Sequence, residues 1–98
     1  MSRKPIHPGE ILREEFLAPL QMSAGALAKH LRVPRTRIER VVNEQSPVTV
    51  DTAMRLAKFF GGTPAFWINL QTAYEIETTE PALRKELAQI EPREQEAA

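Results

Sequence analysis

Between Lys29 and Arg40 the chain sets five basic side chains, Lys29, Arg32, Arg35, Arg37 and Arg40, against a single acid, Glu39. Fixed positive charge at that density suits a polyanion. Spacing then divides the roles. On a helix running from about Arg35 to Asn43, Ile38 and Val41 turn inward, and Arg35, Thr36, Glu39 and Arg40 turn outward. Arg35 and Arg40 can each donate a bidentate pair to guanine O6 and N7. Thr36 can touch a thymine methyl or a base edge, and Glu39 can accept from cytosine N4 or orient either arginine. Arg37, Lys29 and Arg32 fall better for phosphate oxygens, joined by the free backbone N–H groups of a helix starting at Ser23. A solvated charged face is the plainer reading of such a run, so the decision rests on what holds it.

What holds it is a set of apolar anchors. Ser23 is a good N-cap for a helix over Ala24 to Leu31. Leu27, Leu31, Val33, Ile38 and Val41 lock the following helix to the body, and Ala28 is small where the two helices cross. Burying each of the five contributes roughly 1.5–3 kcal/mol. A turn of about three residues, Arg32-Val33-Pro34, joins the helices, as a helix-turn-helix requires. With those anchors in place the basic helix reads as a rigid reader of the DNA major groove.

The remaining chain supplies the body. Periodicity is helical nearly throughout, with no clean two-residue alternation, so the fold class is all-α. A first helix begins at Pro8 with His7 as cap, carries Ile11, Leu12, Phe16, Leu17 and Leu20 inward, and ends or breaks at Pro19. Thr49 caps a fourth helix with the apolar set Val50, Ala53, Met54, Leu56, Ala57 and Phe60, stopped by Gly61-Gly62. Thr63-Pro64 starts a fifth helix bearing Phe66, Trp67, Leu70, Ala73 and Tyr74. A separate short amphipathic piece, Pro81 to Ile90, follows with Leu83 and Leu87, and the acidic residues Glu91 to Ala98 read as disordered. The division expected is a DNA-binding domain over 1–79 and a helical, then flexible, tail over 80–98.

Composition narrows the classes. The chain of 98 residues has 13 basic and 13 acidic side chains. Residues 1–60 hold ten Lys/Arg against six Asp/Glu, a net of +4, and residues 61–98 hold three against seven, a net of −4. The acidic half must face away from phosphates, towards solvent or a basic partner. Without cysteine there is no disulfide framework and no thiolate metal site. No apolar run approaches the roughly 18–20 residues that cross a bilayer, and the polar start shows no secretory leader. The location expected is cytoplasmic.

Neither catalysis nor metal binding has a constellation. His7 and His30 are the only histidines, and a metal site needs more ligands than two. His7 reads as a cap and His30 as a surface residue. Glu14 and Glu15 are neighbours on a helix and point apart. No Gly-rich phosphate loop or nucleophile motif is present. The chain is therefore read as no enzyme and as needing no cofactor.

Residues 5–79 resemble the HigA-type antitoxin family within the Xre/Cro-like helix-turn-helix class. The carrying segments are His7-Pro8-Gly9-Glu10-Ile11-Leu12-Arg13-Glu14-Glu15-Phe16-Leu17, Leu27-Ala28-Lys29-His30-Leu31, Arg55-Leu56-Ala57-Lys58-Phe59-Phe60 and Thr63-Pro64-Ala65-Phe66-Trp67-Ile68-Asn69-Leu70-Gln71. The resemblance implies a five-helix, lambda-repressor-like bundle, dimeric binding to a palindromic operator in double-stranded DNA, and neutralisation of an mRNA-cleaving toxin of the HigB type. Two positions depart from the pattern. Similar sequences usually have glycine where Arg32 stands, and after Asn43 they often have glycine and basic residues in place of Glu44-Gln45-Ser46-Pro47. The second change bears on a phosphate contact that the resemblance would place in that loop.

A dimer on a palindrome must hold two reading helices about 34–36 Å apart. Phe66, Trp67, Leu70 and Tyr74 either pack over the fourth helix or leave part of the set exposed as a dimer interface. Leu83 and Leu87, on the acidic tail, are a partner-binding or dimer-extending surface, or a frayed end. Two other functions compete with the antitoxin reading: a stand-alone transcriptional regulator without a toxin, and a protein-binding module that retains the motif only as scaffold.

Overall fold

The computed structural model describes residues 4–94, which form five helices and no strand. Residues 1–3 and the last four residues of the acidic tail, 95–98, lie outside them. Helix α1 runs over 8–20 as three consecutive segments, Pro8–Ile11, Leu12–Leu17 and Ala18–Leu20. His7 caps it as expected, its Nδ1 accepting from the Gly9 N–H at 2.8 Å. The middle segment widens to π register, the Ala18 N–H reaching back five residues to the Arg13 carbonyl. This widening, which periodicity does not reveal, sits just before Pro19, whose ring clashes with the carbonyl four residues back in a regular α-helix. Gln21, at φ 52°, ends the helix in the left-handed region.

Helix α2 is Ala24–Leu31, and the Ser23 hydroxyl accepts from the Ala26 N–H at 3.0 Å. Arg32 takes φ 62°, the position where glycine is at home, and the Val33 N–H closes the turn on the Ala28 carbonyl at 3.1 Å. Helix α3 is Arg35–Val42. Helix α4, Val50–Phe60, is capped by the Thr49 hydroxyl, which accepts from the Thr52 N–H at 3.2 Å. Gly61 and Gly62, at φ 93° and 87°, make the left-handed corner into α5, Pro64–Ala88.

The core gathers one face of each helix: Leu12 and Leu17, Leu27 and Leu31, Ile38 and Val41, Ala53 and Leu56, and Trp67. Three expected inward residues are on the surface instead. Leu20, Val50 and Met54 are each more than half exposed, because each lies in the first or last turn of its helix or turns away from the packed face. The separate amphipathic piece from Pro81 does not exist: α5 passes through Pro81 and ends only at Ala88, with residues 91–94 exposed and outside any helix. Beyond Tyr74 nothing in α5 is buried, so the distal half projects from the bundle. The radius of gyration is 17.2 Å, against about 13 Å for a compact chain of this length.

Candidate nucleic-acid interface

Helix α3 is held as its apolar spacing requires. Ile38 and Val41 are within 1 % of full burial, and Val42 also turns inward. The close approach that seats it is at Gly9, where a side chain would overlap the Val41 carbonyl. Arg13 on α1 then clamps the end of α3, donating to the Val42 carbonyl and to Glu44 at 3.3 Å. Glu44 itself stands at φ 61°. It occupies a left-handed position that glycine fits without strain.

On the opposite face Arg35, Thr36 and Arg40 are exposed together. Glu39 pairs with Arg35 at 3.3 Å, one turn apart, and so orients it. The Arg35 stem also crosses α2 at Gly25, where a Cβ would come within 2.8 Å of Arg35 Cδ. Arg35 therefore sits beside the Ser23 end of α2, while the Arg40 guanidinium extends freely from α3, with no ion-pair partner among the described residues. Lys29 and Arg32 are exposed on the α2 side of the same unit. Ser23 uses its hydroxyl as cap and keeps its neighbouring backbone N–H groups at the α2 N-terminus.

Arg37 is placed differently from the other cations. Its Nη1 donates to Asp51 Oδ1 at 2.6 Å, across to the first turn of α4. Arg55 donates to the same oxygen at 2.7 Å and to the Leu31 carbonyl at 2.8 Å, at the end of α2. The hydrogen bonds from Arg55 and then Arg37 hold the Asp51 carboxyl below the usual carboxylate range.

Behind this exposed face, His7 and Gln71 secure the loop between α3 and α4. Gln71 is buried; its Oε1 accepts from the Val48 N–H at 2.8 Å, and its Nε2 donates to Glu75 at 2.8 Å. The His7 ring meets Tyr74 edge-on at 4.8 Å. Burial pushes the His7 pKa down, against a smaller opposing pull from Glu44.

The set Phe66, Trp67, Leu70 and Tyr74 divides. Trp67 is 1 % exposed and packs on Phe16 at 5.0 Å, so its indole offers no surface to a partner in this fold. Leu70 and Tyr74 are half-buried, whereas Phe66, Leu83 and Leu87 are exposed, along with Ile76 and Ile90. Sequence reading missed the parts played by Arg13, Asp51, Arg55 and Gln71. Three of these lie in the segments quoted for the family resemblance, so the signal was present, but only contacts across helices give it meaning. His30 is exposed and stacks on Phe59 at 4.8 Å. Among the described residues no group of three or more His, Cys, Asp or Glu is arranged to hold a metal, and no helix is long and apolar enough to cross a membrane.

Two helices locked by a left-handed turn, the second showing arginines outward and aliphatics inward, define a helix-turn-helix unit. The helix-turn-helix family model matches residues 12–68. Virulence-associated protein I of Dichelobacter nodosus is 55% identical over 75 residues, spanning 76% of this chain and 69% of that one. The antitoxin HigA of Pseudomonas aeruginosa, solved with the higBA promoter, matches with a TM-score of 0.89 at 41% identity over 93% of this chain and 100% of the other. An addiction module antidote protein of the HigA family from Coxiella burnetii gives 0.86 at 48% identity, over 92% and 99% of the two chains. The chain belongs to the helix-turn-helix family, in its HigA-type antitoxin branch.

Proposed function

We propose that this chain is a DNA-binding antitoxin that, as a homodimer, binds a palindromic operator controlling its own transcription and neutralises a HigB-type ribonuclease toxin. The observation that carries the reading is the outward face of α3: Arg35, Thr36 and Arg40 exposed over buried Ile38 and Val41. The likeness over nearly the whole chain to an antitoxin solved with a promoter supports it. In this reading Arg40 and Arg35 address base edges, Glu39 orients Arg35, and Thr36 touches a neighbouring base. Ser23, Lys29 and Arg32 hold phosphates and set the register. The protein works by binding rather than catalysis, in the cytoplasm.

Exposed Phe66, Leu83 and Leu87, with half-buried Leu70 and Tyr74 beside them, form the dimer or partner surface along α5. The domain that reads DNA spans 1–79, and the projecting segment from 80 onward extends that surface.

The test is selection of bound duplexes from a random pool, followed by titration of variants. Selection should return a palindrome with half-sites one helical turn apart. Arg40→Ala should cost about 1–3 kcal/mol on the selected site and relax the preference there. Lys29→Ala should weaken all sequences nearly equally. Failure to enrich any duplex, or affinity that ignores salt, would remove the reading.

A further inference from the structure

Five cations crowd the helix-turn-helix, and four of them face solvent without an inter-helix partner among the described residues or, for Arg35, with only the neighbouring Glu39. Arg37 is the exception. It is half-exposed, within the same basic run, yet its guanidinium turns away from the run and onto Asp51. The Asp51 carboxylate presents one oxygen to two arginines at 2.6 and 2.7 Å, from two different helices, as a phosphate oxygen would. Arg55 is tied a second time, to the Leu31 carbonyl at 2.8 Å. Arg55 keeps that bond if the carboxylate is lost, whereas Arg37 has no second side-chain partner among the described residues.

We infer that Asp51 is a specificity-determining positioning residue: it occupies Arg37 in place of a phosphate, so that this arginine contributes nothing to sequence-independent affinity while α3 is braced on α4 and on the end of α2. The inference rests on the DNA-binding reading of α3. Its physical basis is a competition. Every free cation near the groove raises affinity for all duplexes alike, since phosphate contacts carry no sequence information. One more contact steepens the salt dependence of log K by about 0.9 and is worth about eightfold at 0.1 M salt relative to 1 M. An intramolecular carboxylate that satisfies Arg37, exposed as Asp51 is, removes that uniform gain. The gap between operator and random sequence then depends on Arg35, Thr36 and Arg40. The same bonds tie α3 to α4, so the reading face keeps one orientation.

The experiment measures the salt slope and the affinity of full-length wild type, Asp51→Ala, Arg37→Gln and the double variant. Two duplexes serve as probes: the one recovered by selection and a random one of equal length. Circular dichroism checks each variant. Asp51→Ala should steepen the slope by about 0.9, raise random-duplex affinity about eightfold at 0.1 M salt and narrow the operator preference. Arg37→Gln alone should leave the slope at the wild-type value, and the double variant should return to it. An unchanged slope in Asp51→Ala overturns the inference. So does a slope that becomes shallower in Arg37→Gln, because Arg37 would then already be on phosphate; this arm decides alone if Asp51→Ala fails to fold. A wild type with no salt-dependent binding would instead remove the DNA-binding reading itself.

Discussion

Gly9→Ala puts the seat of the reading helix to the test. In an exposed turn of helix, alanine gains about 0.5–1 kcal/mol over glycine, so an isolated view predicts stabilisation. The packing predicts the reverse. A Cβ at this position would lie 2.9 Å from the Val41 carbonyl carbon and 3.0 Å from His7 Nδ1, and would overlap the Val41 oxygen outright. The obstacle is backbone, not the end of a flexible side chain, so α1 and α3 must separate by more than an ångström. Overpacking of that kind costs about 1–3 kcal/mol, and here the upper part of the range applies. The net loss is about 1–2 kcal/mol, which lowers Tm by about 5–15 °C in a domain of this size. Because the displaced atom belongs to α3, operator affinity should fall with stability while far-UV helicity is retained. Thermal unfolding followed by circular dichroism, with fluorescence anisotropy on the selected duplex, reads both. A Tm that holds or rises would refute the argument that this contact seats α3.

Three further outcomes follow from single contacts. Arg32→Gly should raise stability by about 1 kcal/mol, since φ 62° is free to glycine, and should lower the salt slope by about 0.9 as a phosphate contact is lost; a drop in Tm would show that the left-handed turn is not strained. Gln71→Ala should cost about 1–3 kcal/mol by leaving the buried Val48 N–H unpaired, with faster amide exchange at Val48 than at other core positions; uniform exchange would place the loss elsewhere. His7 has its pKa lowered from 6.5 by burial, so between that lowered value and 6.5 the unfolded chain binds more protons. Its contribution to stability is therefore complete above pH 6.5 and is lost as pH falls through the folded value. His7→Asn keeps a cap acceptor but does not titrate, so its urea midpoint should decline less than that of wild type between pH 7 and 5; parallel declines would acquit His7.

The helix-turn-helix unit is legible in the residue order, because that unit is local. Helix caps, the i, i+3, i+4 spacing of Leu27, Leu31, Ile38 and Val41, and the short turn all act within twenty residues, and each is found where the pattern puts it. The family resemblance implies glycine where Arg32 stands, and Arg32 is at φ 62°. Tertiary structure decided whatever depends on residues far apart in the chain. Periodicity ranks Val50 and Met54 with Leu56 and Phe66 with Trp67, since it records a face but not whether another helix covers it. Pro81 reads as the start of a separate piece, yet α5 runs through it, as a single missing N–H does not by itself end a helix of 25 residues. Charge gave Arg37 to the phosphates, whereas Asp51, fourteen residues on, draws it across to α4. Local propensity and side-chain chemistry are properties of the written order; burial and pairing arise only when distant segments meet.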